Sequence, residues 1–253
     1  MIYDLQKASV WKRISAFLFD LIMLSIVSVL FAWALSLLLG YDGYLQKLND
    51  TYAAYGEQYG IDLRMPLAEY EALDEAGRKT MEEAYAAMSA NSDAVRNYNM
   101  MIQLTILITS IALLLGYLVM EFFVPLKFGN GVTLGKKVFG LAVMQNDGVR
   151  LTTVGLFIRT VLGKYAIETM IPAIILMMIF WGTIGIVGPI VLLAILVVEV
   201  AVMIATHTNA LIHDLLANTV VIDYASQMIF ETREDMIRYK EKIHAEMAAK
   251  QEY

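Results

Sequence analysis

The groups in this sequence best placed to do chemistry are ionisable residues set inside apolar stretches. Arg13 and Asp20 open the first such stretch and Glu121 falls near the end of the second. Arg159, Lys164, Glu168 and Glu199 lie in or beside the third. A charge in hydrocarbon is costly, so such residues face a protein interior or a water-filled cavity and mark ion paths, proton relays or ion pairs. Two chemistries fit. Carboxylates paired with Arg13, Arg159 and Lys164 would fix the helices against one another, each polar contact contributing about 0.6–2 kcal/mol. Carboxylates in excess of the cations would bind a cation or carry a proton, because a desolvated carboxylate without a full partner titrates closer to neutral pH. Asp20 and Glu199, the deepest, are the candidates for that second role.

Catalytic readings find no support in the residue types. The chain has no cysteine and three histidines. Thiol nucleophiles, disulfides and Cys-ligated zinc are therefore excluded. Neither a His-Glu-x-x-His metal motif nor a Gly-x-Ser-x-Gly nucleophile elbow is present. Gly131-Val132-Thr133-Leu134-Gly135-Lys136-Lys137 has the composition of a phosphate loop, but its glycine spacing is wrong and Lys137 stands where Ser or Thr should bind magnesium. His207, His213 and Asp214, just past the last apolar run, read as hydrogen-bonded interface residues. The expectation is a protein that is not an enzyme and holds no metal or cofactor. A net charge of −6 argues against a nucleic-acid partner.

The elements that must position these charges are membrane helices. Of the 253 residues, 58% are apolar and 17% charged, against about 45–50% and 25% in soluble domains. A bilayer core needs roughly 20 apolar residues in helix. Residues 14–39 and 100–124 each supply one span. The 161–205 stretch would measure about 68 Å as a single helix, so it must fold back, and the Gly182, Gly185, Gly188 and Pro189 cluster is the place. A signal peptide is not the reading for the first run, which is about twice the usual 7–15 residue apolar core and lacks a cleavage site.

Lysine and arginine sort to one side of these spans. Lys7, Lys12 and Arg13 precede the first, and Lys127, Lys136, Lys137, Arg150 and Arg159 lie between the second and third. That side is expected to be cytoplasmic, and it takes both termini. Residues 41–99 then lie outside. They hold 11 acidic residues against five basic ones, which accounts for the whole net charge, and eight of the 14 tyrosines. This segment reads as short helices forming a solvated cap, or as a Tyr-rich surface for a partner. With this topology, Asp20, Glu121, Lys164, Glu168 and Glu199 all fall in the inner half of the bilayer.

The fold class expected is an all-α membrane protein with four transmembrane helices, an extracytoplasmic helical insertion, a small cytoplasmic β-hairpin and a cytoplasmic C-terminal helix. Its parts are 1–40 (N-terminus and first span), 41–99 (cap), 100–126 (second span), 127–160 (loop with the hairpin), 161–206 (third and fourth spans) and 207–253 (tail). The hairpin pairs residues 138–144 with 149–152 across the Asn146-Asp147-Gly148 turn. The tail is amphipathic, with Ile229, Met236, Tyr239, Ile243 and Met247 near one face.

The motifs resemble those of the RDD family of prokaryotic membrane proteins. Arg13-x-x-Ala16-x-x-x-Asp20 opens the first helix. Asn130-Gly131-x-Thr133-Leu134-Gly135-Lys136-Lys137-x-x-Gly140-Leu141 follows the second, and His213-Asp214-Leu215-Leu216-Ala217-x-Thr219 follows the last. The arginine and two aspartates that name the family fall on Arg13, Asp20 and Asp214. Asn218 stands where the family often has glycine, and the 41–99 cap lies outside the resemblance. The resemblance implies a bacterial cytoplasmic membrane location and gives mild support to sodium/proton exchange, proposed for some members. Two functions follow as expectations: cation/proton transport through the inner-leaflet carboxylates, in a homo-oligomer because four helices are few for a transporter, or a non-catalytic membrane scaffold or accessory subunit held by ion pairs.

Overall fold

The computed structural model describes residues 5–251. Among the described residues, four helices are long and apolar enough to cross a membrane: α1 (Val10–Leu38), α5 (Ser92–Phe128), α7 (Thr153–Phe180) and α8 (Val187–Ala205). Between the first two lie α2 (Tyr41–Tyr59), α3 (Leu67–Glu71) and α4 (Glu75–Ala90). The remaining elements are α6 (Leu134–Val138), α9 (Ile212–Leu216), α10 (Arg233–Gln251) and a two-stranded sheet of β1 (Leu141–Gln145) and β2 (Thr219–Asp223). The chain forms two compact units, one from the residues up to Val29 with those from Leu113 onward, the other from Leu30–Ala112.

Helix ends follow local capping rather than the edges of apolar runs. α5 starts at Ser92, well before the apolar residues begin, because the Asn91 side chain accepts the backbone N–H groups of Asp93 and Ala94. α7 likewise starts at Thr153, where the Thr152 hydroxyl accepts from the Gly155 N–H at 3.0 Å. The break between α7 and α8 falls over residues 181–186, where Gly182 and Gly185 take positive φ angles of 68° and 47°. Wide π-type turns occupy Leu118–Phe123 of α5 and Ile158–Met170 of α7. Such turns recur at functional sites, and here they carry Glu121, Arg159, Lys164 and Glu168.

The sheet corrects one sequence expectation. β1 pairs antiparallel with β2, register Val143 to Val221, and not with the expected return strand at 149–152. The Asn146–Gly148 turn does form, closed by Gly148 N–H to the Gln145 carbonyl at 2.9 Å. Among the described residues its arms are joined by one hydrogen bond, Gln145 N–H to the Val149 carbonyl at 2.9 Å, and one bridge, Met144 to Arg150, after which the Arg150 N–H donates to the Phe230 carbonyl. The chain leaves the sheet because Leu151 is drawn into the core and Thr152 caps α7. Val138, expected in the strand, ends α6 instead.

Both faces of this small sheet are buried, which accounts for its unbroken apolar sequences. Leu141, Val143 and Val221 pack with Ala8, Ala16, Leu151 and Leu156, joining the sheet to helices α1 and α7. Ala142, Met144, Val220 and Ile222 pack on the other face with Val132, Leu5 and Ile229. Of the amphipathic tail residues, Met236 is buried and Tyr239 stacks near Phe230, with ring centroids 5.4 Å apart, whereas Met247 is exposed.

In the Leu30–Ala112 unit half-buried tyrosines pack against a small buried core. Tyr52, Tyr55, Tyr59 and Tyr70 pack around Leu63, Met81 and Ala84. The Tyr85 hydroxyl donates to the Leu63 carbonyl at 2.6 Å. Much of the tyrosine enrichment is thereby used in the unit's own core.

Candidate functional site

Helix α9 presents two adjacent buried residues, His213 and Asp214, to the membrane helices. Asp214 is 1% exposed. Arg13 of α1 donates to its Oδ2 at 3.1 Å and Arg159 of α7 contacts its Oδ1 at 2.9 Å. The Thr219 hydroxyl donates to Oδ1 at 3.1 Å, and the Leu211 N–H approaches Oδ2 at 3.4 Å. Arg13 also donates to the carbonyl of Asn209 at 2.5 Å, tying the end of α8 to α1. Burial opposes ionisation of Asp214, but Arg159 and Arg13, with the Leu211 N–H, outweigh it and hold the carboxyl well below the usual carboxylate range.

His213 sits between an acid and a base. Its Nδ1 lies 2.7 Å from Glu168 Oε2, its backbone N–H donates to Glu168 Oε1 at 2.8 Å, and its Nε2 lies 3.0 Å from an Arg159 nitrogen. A guanidinium can only donate, so Nε2 must accept and the proton resides on Nδ1. The imidazole is therefore neutral. Burial pushes its pKa down and Arg159 adds to that, against the pull of Asp214 and Glu168. α9 approaches α7 this closely because residue 163 is glycine. A Cβ there would lie 2.5 Å from His213 Cβ and 2.7 Å from its Cα.

A second group of charges adjoins the first through Arg159. Lys164 donates to Glu121 Oε2 at 2.6 Å, and the Thr160 hydroxyl donates to the Glu121 carbonyl at 2.9 Å. Asp20 accepts from the Thr133 hydroxyl at 2.5 Å and from the Gly135 N–H at 2.7 Å. It thus serves as an external cap for α6, whose own N-cap is Thr133. Gly135 has no side chain because the Ala16 carbonyl and the Asp20 carboxyl fill the space where one would start. Lys136 is buried, with its ammonium 3.2 Å from the Thr133 hydroxyl. Burial, with Lys164 and Arg159 nearby, pushes its pKa down to about 8, against Glu121 and Asp20.

Glu199 stands apart. It lies within electrostatic reach of Glu168 and Asp214, and its Oε2 is buried with no hydrogen-bond partner among the described residues. The cluster as a whole sets five carboxyl groups (Asp20, Glu121, Glu168, Glu199, Asp214) against four basic side chains (Arg13, Lys136, Arg159, Lys164).

Each residue singled out from the sequence can now be placed. Arg13, Arg159 and Asp214 form one clamp, Lys164 and Glu121 one pair, Glu168 and His213 another. Asp20 and Arg13, although seven residues apart on α1, take different partners. Gly131 turns the chain at φ 59°, where a Cβ would meet Val143. Sequence reasoning missed Thr133, Thr160 and Thr219 as members. The first and the last had a readable signal, since both stand in the motifs that carry the family resemblance; Thr160 had none, because a lone threonine in an apolar context carries no pattern. Among the described residues no group of three or more His, Asp or Glu side chains is arranged to hold a metal ion.

Four apolar helices with a buried charge network at their ends, clasped by a small α/β element, define a multi-pass membrane protein. A family model for the RDD family matches residues 7–218, most of the chain, and the chain belongs to that family. No curated protein and no solved structure matches it.

Proposed function

We propose that this RDD-family protein lies in the bacterial cytoplasmic membrane with both termini inside, and that it moves a proton or monovalent cation through a site at Glu199. The orientation rests on the Lys/Arg-rich segments at 7–13 and 127–159. The transport reading rests on one observation: Glu199 is the single carboxylate of the cluster with a buried, unpartnered oxygen. Asp20, with two hydrogen-bond donors, and Asp214, between two guanidiniums, belong to the frame around that site. Four helices are few for alternating access, so the working unit is an oligomer. Neither enzymatic activity nor a nucleic-acid partner enters this reading.

A second reading, a membrane scaffold or accessory subunit, is favoured by the pairing of Asp214, Glu121 and Glu168. A cluster that is almost wholly satisfied specifies a packing arrangement. Purified protein in vesicles loaded with a pH-sensitive dye separates the two. Transport expects cation-dependent proton flux in wild type, loss of that flux in Glu199→Gln and partial retention in Glu199→Asp. Flux no greater than in empty vesicles, or equal flux in wild type and Glu199→Gln, would overturn it in favour of the scaffold.

A further inference from the structure

The corner where α5 gives way to the following loop is flanked by three exposed cations, Lys127, Lys137 and Arg150. Lys127 lies in the last turn of α5, and Lys137, at the end of α6, places its ammonium 4.0 Å from the centroid of the Phe128 ring. The Arg150 guanidinium lies against Gly129, 3.5 Å from where a side chain at that position would begin. Arg150 has an acidic partner, Glu231, at 2.9 Å. Neither Lys127 nor Lys137 pairs with a carboxylate among the described residues. Most other cations outside α10 do have such a partner or a carbonyl, for example Lys12 with Asp223 and Lys7 with the His207 carbonyl.

Apolar side chains surround this basic corner and are themselves exposed. Phe123, Leu126 and Phe128 line the end of α5, and Val138, 64% exposed, follows Lys137 directly. Exposed aliphatic and aromatic groups at the end of a span belong in the acyl chains and headgroup zone, and lysines beside them reach outward to the phosphates. The surface therefore has the two parts that a phospholipid has, in the same order. We infer that Lys127 and Lys137, with Arg150 at their side, form a docking site for the headgroup of an anionic phospholipid, with Phe128 beneath the Lys137 ammonium.

The test uses the full chain purified in detergent and native mass spectrometry with added phosphatidylglycerol or phosphatidylcholine. Wild type retains phosphatidylglycerol in preference to phosphatidylcholine. Lys127→Gln/Lys137→Gln lowers that preference about tenfold or more, given about 1 kcal/mol for each cation near an anionic surface. Both lysines are exposed, so the variant's melting temperature should match wild type. The single variant Lys137→Glu gives an independent reading should the double variant fail to fold. Lys79→Gln/Arg96→Gln, which removes the same charge from α4 and α5 elsewhere, leaves the preference intact. The site is overturned if wild type shows no preference, if the lysine variants retain it, if the control pair loses it equally, or if inorganic phosphate at matched concentration displaces the lipid.

Discussion

Arg13 and Asp214 stand 201 positions apart in the chain and 3.1 Å apart in the fold. Arg159 closes the same carboxylate from the other side, so a single buried aspartate ties α1, α7 and α9 together. Removing its charge leaves two guanidiniums in a low-dielectric site without compensation. Asp214→Asn is therefore expected to cost about 3–5 kcal/mol. A fluorescence melt of the solubilised protein checks this, and a variant as stable as wild type would contradict the clamp.

Close approach at Gly163 gives a steric prediction. In Gly163→Ala the new methyl would collide with the His213 backbone and Cβ, and the cost of such overpacking is about 1–3 kcal/mol. Gly43→Ala in α2 meets nothing within 4 Å and is expected to be neutral or stabilising by about 0.5–1 kcal/mol. The contrast between the two melting temperatures is the measurement.

Asp20 should behave as a structural acceptor. Asp20→Ala strips a partner from both the Thr133 hydroxyl and the Gly135 N–H. An unsatisfied buried polar group costs about 1–3 kcal/mol. Hydrogen exchange of the α6 amides should quicken, while Asp20→Asn, which keeps one acceptor oxygen, should show a smaller change. Unaltered exchange in the alanine variant would sink the capping role.

Stability should depend on pH at both ends of the range. Lys136 has a folded pKa of about 8 against 10.5 for the unfolded side chain. Between those values the unfolded chain binds more proton, so stability rises with pH from about 8 to 10.5. Lys136→Met should flatten that rise. On the acid side, His213 is depressed below 6.5 and Asp214 below 3.8. The unfolded chain again takes up the protons first, so stability falls as pH drops below 6.5 and falls further through the carboxylate range. Detergent-induced unfolding across these windows reads both slopes.

Much of the scaffold was legible along the chain. Apolar length alone marks α1, α5, α7 and α8, and the glycine cluster at 182–188 marks the reversal, because hydrocarbon thickness and backbone hydrogen bonding leave few alternatives. The charges that interrupt those runs stand out for the same energetic reason. Helix starts were legible only in hindsight: Asn91 and Thr152 are capping residues that extend α5 and α7 beyond their apolar segments.

Partner choice was decided by tertiary structure. The sequence contains Arg13, Asp20 and Asp214, and a helical repeat puts the first two on one face of α1. Yet Asp20 turns to Thr133 and Gly135, and Arg13 reaches the residues after α8. The same holds for β1, whose nearest sequence neighbour at 149–152 offers a good turn while its actual partner lies at 219–223. Periodicity and hydropathy report what a segment must bury. Which distant group satisfies a buried charge or a strand edge depends on how separate helices bring their ends together, and that information is not local to any stretch of the chain.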